Sequence, residues 1–205
     1  MLDRRSLMAN GGAAAFGALA LTAVTAGTAP AGAAPAGHNP WVPLPDPATT
    51  PVPNPPFPAG LTREERRNLE TFGELDFDVF THQKWARLGE SHAKHIRVHY
   101  PDGHYTDGID RHIEDLKGLF VWAPDTRIES HYLRVVRDGL TAVAGVQQGT
   151  FTRPMPDGKG GFIQPTGRKY AVNIATIGLW NKRGTMDEEF LFWDNESIAR
   201  QIGLA

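Results

Sequence analysis

The 205-residue chain predicts an α+β domain: a curved antiparallel sheet wrapped around N-terminal helices, with a central cavity. Three observations lead there. Helical spacing dominates the first part of the folded region, alternation dominates the last part, and strong turn signals separate the alternating runs. A twisted sheet of this size can curl around its helices and leave a cavity at its open end.

The chain divides before the fold begins. Residues 1–36 open with Arg4 and Arg5, continue through a weakly apolar Ala- and Gly-rich stretch, and end in small residues suited to cleavage, Ala31-Gly32-Ala33 or Ala34-Pro35-Ala36. This is similar to a bacterial twin-arginine export signal. The expected location is therefore outside the cytoplasm, secreted or in the cell envelope, with no stable membrane anchor after cleavage. Residues 37–60 contain nine prolines in 24 positions. Proline fixes φ and removes an amide donor, so this stretch is read as an extended spacer; the alternative is that it lies on the domain through Trp41 and Phe57. Residues 61–205 are left for one domain with a real core.

Composition narrows the function classes. The net charge is −2 and the mature part has no basic run, so nucleic acid is not an expected partner. No cysteine is present, which excludes thiol catalysis, disulfides and thiolate metal sites.

Thr62 followed three residues later by Glu65 forms a capping box and predicts a helix from about Arg63 to Phe72. The segment LDFDVFTHQKWARLGESH continues in helical style, with Phe77, Phe80, Trp85 and Leu88 at three-to-four spacing and Gly89 as its end. Alternation over Lys94–Tyr100 predicts a strand, and PDGHYTDG predicts a loop. Ile109, Ile113, Leu116 and Phe120 share a helical register that Pro124 stops. RIESHYLRVV and LTAVAGVQQGTF flank Arg137-Asp138-Gly139, a hairpin signal. KYAVNIATIGLWNK and TMDEEFLFWD flank Arg183-Gly184, a second hairpin, and NESIARQIGL closes as a short helix.

One carboxylate stands out. Asp194 ends the apolar run Phe190-Leu191-Phe192-Trp193. Burial among such groups raises a carboxyl pKa toward the range useful for acid/base work. Strand alternation puts Phe190, Phe192 and Asp194 on one face, so Asp194 faces the cavity if the two phenylalanines line it. The competing reading is an N-cap for the closing helix, where Asp is favoured.

Histidines cluster in SHAKHIRVHYPDGHYTDGIDRH: His92, His95, His99, His104 and His112, with Asp102, Asp107 and Asp110. His95 and His99 share a strand face, but Arg97 lies between them and repels a cation. The favoured reading is therefore no metal, with satisfied or surface histidines.

Pro165-Thr166-Gly167-Arg168, Gly184, Glu189, Trp193-Asp194 and Gln201-Ile202-Gly203, taken in order, resemble the pattern of the SnoaL-like polyketide cyclases, also called ester cyclases. Upstream, VHYPDGHYTDG and WAPD resemble that family's His-x-Pro-x-Gly loop and its Pro-Asp before a strand. The resemblance spans about Leu61 to Leu204. It implies the cone-shaped fold shared with ketosteroid isomerase and nuclear transport factor, and homodimerisation through the open sheet face. It also implies cofactor-independent ring closure of a small hydrophobic carbonyl compound, with Asp194 moving the proton. His99 matches the family's His before Pro and is the second catalytic candidate. Gln148, Tyr100, Tyr105, Phe151, Phe190, Phe192 and Trp122 are the expected substrate contacts. Relatives read Gly-Thr-His where this chain has Gly149-Thr150-Phe151, and the loop to Pro165 carries an inserted PDGKGG. The alternative is a non-catalytic ligand-binding or dimerisation module on the same fold.

Overall fold

In the computed structural model, residues 54–205 are described. The signal-like segment and most of the Pro-rich stretch lie outside these residues.

Helix α1 spans Arg63–Glu74. Its capping box closes in both directions: the Glu65 amide donates to Thr62 Oγ1 at 3.2 Å, and the Thr62 amide donates to Glu65 Oε2 at 2.8 Å. The predicted helical continuation does not stay α-helical. It widens into a π-helical turn, Leu75–Phe80, then tightens into a 3₁₀ segment, Trp85–Glu90. The π turn buries Leu75, Asp76, Val79 and Phe80. Such turns are rare overall and frequent at functional sites.

Strands β1 (His92–His99) and β2 (Tyr105–Asp107) lead to helix α2 (Ile109–Trp122). β3 (Arg127–Arg137) and β4 (Leu140–Thr150) form the first predicted hairpin. Its turn uses Asp138 and Gly139 at φ 49° and 80°, the pair of positive values that a two-residue hairpin turn needs. A short ribbon, β5 (Met155–Pro156) and β6 (Phe162–Ile163), occupies the segment predicted as a loop. β7 (Lys169–Trp180) and β8 (Met186–Trp193) form the second hairpin, and α3 (Asn195–Ile202) closes the chain, stopped by left-handed Gly203.

The main sheet has six strands in the order β2-β1-β8-β7-β4-β3. All its pairs are antiparallel except β1 with β8, which is parallel. One apolar cluster joins Phe80, Leu119, Phe120, Trp122, Phe151, Tyr170 and Ile198; a second joins Phe72, Leu75, Leu88, Ile96, Val143, Trp180 and Met186. Leu116 and Trp193 pack against both, so α2 and the end of β8 bridge the two halves of the core.

The described end of the Pro-rich segment lies on the domain instead of leaving it. Arg134 on β3 donates from Nη1 to the Pro55 carbonyl at 2.8 Å and pairs with Asn54. The guanidiniums of Arg134 and Arg66 stand over the Phe57 ring at 5.4 and 5.9 Å. Phe57 thus anchors this end of the segment, as the alternative reading of that stretch allowed. Among the described residues, no helix is long and apolar enough to cross a membrane.

Candidate active site in the cavity

The helices and the concave sheet face enclose a cavity of about 70 Å³. Its apolar lining includes Leu75, Phe80, Leu116, Leu119, Ile128 and Ile174. Its polar lining is Asp76, His92, Tyr100, His112, Asp115, Gln147, Thr176 and Glu189. A water needs roughly 10–15 Å³ of such space, so the cavity holds a few waters as it stands.

Asp76 comes from the π turn. Its Oδ2 accepts from His131 Nε2 at 2.7 Å, and both residues are buried. His131 lies against the rings of Phe72 and Phe77, and its Nδ1 has no hydrogen-bond partner. The ring's hydrogen bonding in this wall thus runs through Nε2. His131 reaches this place through a break in β3: Ser130 and His131 are buried in succession, and the pairing with β4 shifts on both sides of His131. An uninterrupted strand would have turned one of the two outward.

On the other wall, α2 presents His112 and Asp115 one turn apart, in line with Leu119 and Trp122. The Tyr100 hydroxyl donates to Asp115 Oδ2 at 3.0 Å and lies 3.2 Å from His112 Nδ1. Arg111 Nη2 stands 3.0 Å from Asp115 Oδ1. Burial, then the Asp115 charge, pushes the Tyr100 phenol well above its ordinary value, so it remains a donor. Burial, then neighbouring His92, pushes His112 well below the usual histidine range. His92 Nδ1 lies 2.8 Å from Ser91 Oγ, while the Nε2 atoms of His92 and His112 lie 3.4 and 3.5 Å from Glu189 Oε2.

The residues expected from sequence divide differently. Asp194 is the N-cap of α3. Its Oδ1 accepts the Glu196 amide at 2.9 Å and its Oδ2 accepts the Ser197 hydroxyl at 2.5 Å. The Ser197 hydrogen bond leads in holding its pKa below the usual carboxylate range, the reverse of what a general acid needs. The acid/base role expected of Asp194 is corrected to a cap. His99 stacks on Phe190 at 4.2 Å and bonds Glu188 Oε1 at 2.7 Å, on the sheet face away from the cavity. Exposed Tyr105 lies there too, under the Arg97 guanidinium at 4.3 Å. Gln148 donates to Glu129 at 2.7 Å, while its neighbour Gln147 lines the cavity. Phe151 and Trp122 are core, with ring centroids 5.6 Å apart. Tyr100 lines the cavity, and Phe192 reaches its rim while 48% exposed.

On β8 the misplacement has one cause. Alternation on β8 groups Phe190 with Asp194 correctly, but the cavity face is the other one, with Glu189, Leu191 and Trp193. Sequence reasoning missed Asp76, His131 and Glu189. Asp76 lies inside an apolar run and Glu189 follows two other acids, so each reads as solvated. The i, i+3, i+7 spacing of His112, Asp115 and Leu119 was a usable signal for α2.

A mixed sheet closed by helices over a cavity with buried acids and histidines defines a cone-shaped α+β fold of the nuclear transport factor type. The family model for SnoaL-like polyketide cyclases matches residues 68–202, and the chain belongs to that family. Solved structures agree on the fold. A SnoaL-like polyketide cyclase candidate from Jannaschia sp. CCS1 is 19% identical, with a TM-score of 0.62, covering 71% of this chain and 97% of that one. IdmH, a polyketide cyclase candidate from Streptomyces antibioticus, is 19% identical, with a TM-score of 0.57 and coverage of 66% and 98%. TsrD from Streptomyces laurentii is 17% identical, with a TM-score of 0.56 and coverage of 71% and 99%. No curated protein sequence matches the chain.

Proposed function

We propose that the protein takes a small hydrophobic carbonyl compound into this cavity and converts it by proton transfer, as a cyclase- or isomerase-type enzyme. The Asp76–His131 pair is the acid/base group. One observation carries this reading: a buried carboxylate, held at 2.7 Å by a buried histidine, sits in the wall of a largely apolar cavity. Removing a proton next to a carbonyl needs a base held within reach of the bound ligand, and Asp76 lines the cavity. Gln147 and Thr176 are the polar groups available to a carbonyl oxygen. A ligand beyond a few heavy atoms requires the exposed rim residue Phe192 to swing aside.

The test is solvent deuterium incorporation into a panel of small β-keto esters and cyclic ketones, followed by NMR. Wild type is expected to speed exchange at the α-carbon, and Asp76→Asn to lose about 100-fold or more of that rate. Compounds that bind without exchange would sink the enzymatic reading. They would favour the second one, a non-catalytic ligand-binding module, which the capping role of Asp194 already supports.

The twin-arginine-like start supports an exported protein. Replacing Arg4 and Arg5 by lysine is expected to leave the precursor in the cytoplasm; unchanged export would refute that signal.

A further inference from the structure

The acid/base reading leaves His92, His112 and Glu189 unused. They come from β1, α2 and β8, all three are buried, and their ligand atoms lie within 4.8 Å of one another in the cavity wall. The geometry points to a binding site for one first-row divalent transition-metal ion, with His92 Nε2, His112 Nε2 and a Glu189 carboxylate oxygen as its ligands.

Hydrogen-bond direction carries the argument. The Ser91 hydroxyl donates to the Leu88 carbonyl at 3.2 Å, so its oxygen accepts from His92 Nδ1 at 2.8 Å. The Tyr100 hydroxyl donates to Asp115 at 3.0 Å, so its oxygen accepts from His112 Nδ1 at 3.2 Å. Each ring therefore donates through Nδ1 and turns its other nitrogen, Nε2, toward Glu189 Oε2. Two ring nitrogens and a carboxylate oxygen, buried face to face, are the kind of set that a cation between them satisfies. The separations of 3.4 and 3.5 Å are long for a charge-assisted N–H···O bond, which prefers about 2.7–2.9 Å. They are close to the edge of about 3.3 Å that follows from metal–ligand bonds of about 2.0–2.1 Å in a tetrahedron.

The outer ring nitrogens complete the picture. Metal-bound histidines usually donate their second N–H to a fixed acceptor, which sets tautomer and ring orientation. Ser91 does this for His92, and Tyr100, backed by Asp115, does it for His112. Two histidines and one carboxylate suit Zn²⁺ or Fe²⁺ and leave at least one coordination position open toward the cavity. An ion there would polarise a carbonyl oxygen across the cavity from Asp76. The site is not the one weighed from sequence: His95 and His99 lie on the outer face, and the structure pairs His92 with His112 instead.

The test needs no substrate, so it fails or succeeds independently of the acid/base reading. The full-length chain is stripped with EDTA and titrated with Zn²⁺ and Co²⁺. Wild type is expected to bind one ion per chain, gain visible d–d absorption with Co²⁺, and rise in Tm as binding stabilises the fold. Ser91→Ala, which removes only an orienting partner, is expected to weaken affinity about 10–100-fold. Glu189→Gln and His92→Gln should lose the Co²⁺ spectrum, while His95→Ala, on the exposed face, keeps it. The proposal is overturned if stripped wild type shows no Co²⁺ absorption and no Tm rise, a result that does not depend on any variant folding. It is equally overturned if folded Glu189→Gln binds as wild type does.

Discussion

Glu189 and Phe190 are neighbours on β8 and serve opposite faces of the sheet. Glu189 is 3% exposed and faces His92 and His112 in the cavity wall, whereas Phe190 stacks on His99 at 4.2 Å on the outer face. Because strand side chains alternate, one step along the chain separates the cavity wall from the outer surface.

Substitutions on the outer face should therefore leave cavity chemistry intact. His99→Gln and Phe190→Leu are expected to change the α-carbon exchange rate by no more than about twofold, in line with surface effects of about 0.5 kcal/mol. Deuterium incorporation by the purified variants checks this. A loss near that of Asp76→Asn would place the chemistry on the wrong face of the sheet.

Asp194 acts on stability. Removing the cap in Asp194→Ala is expected to cost about 1 kcal/mol in urea denaturation, with exchange activity retained in the folded variant. The sign of its pH dependence follows from the lowered pKa. The stabilisation is present above the unfolded carboxyl value near 4 and is lost as pH falls through the lower folded value. The gap between wild type and Asp194→Ala should accordingly shrink on acidification below about pH 4. A gap independent of pH would show that the carboxylate does not cap α3.

Most of the fold was legible because it is written in local signals. The Thr62–Glu65 capping box, the Asp138-Gly139 turn and the register of α2 each depend on residues within a few positions of one another. The site was less legible because long-range events set it. The face of β8 that meets the helices depends on how the sheet curls, which no alternating pattern records. The π turn at Asp76 and the break at His131 depart from regular periods, and those departures turn both residues inward. The cap reading of Asp194 is local too: its carboxylate accepts the Glu196 amide two residues on, while Asn195 accepts from Trp193 Nε1 at 2.7 Å.

Two buried tyrosines set an alkaline limit. Burial raises the phenols of both Tyr100 and Tyr170 from the ordinary value of 10.0. Their contribution to stability is full below pH 10 and is lost as pH rises toward the folded values, because only the unfolded chain ionises freely there. Absorbance at the phenolate wavelength should therefore stay nearly unchanged for these two groups until the protein unfolds. Tyr100→Phe and Tyr170→Phe are expected to leave the native titration below about pH 11 as in wild type. A drop in native amplitude for either variant would mean that its phenol is accessible to solvent.

Gly145 decides whether His131 can reach Asp76. It lies opposite His131 in the β3–β4 ladder, where the pairing is irregular. A Cβ at position 145 would lie 2.6 Å from the Ser130 carbonyl oxygen and 3.0 Å from His131 Cδ2. Ser130 cannot rotate its backbone carbonyl away as a side chain could, so β3 itself must shift. Gly145→Ala is expected to cost about 1–3 kcal/mol, the range for overpacking a well-filled interior. It should also slow α-carbon exchange, because the same displacement moves His131 from its 2.7 Å bond with Asp76. Gly178 provides the contrast. A Cβ there meets chiefly the Met186 side chain, whose thioether can re-pack, so Gly178→Ala should lower stability while sparing exchange. Paired unfolding and exchange measurements on the two variants separate the cases. Equal loss of exchange in both would mean that the bulge does not position the acid/base pair.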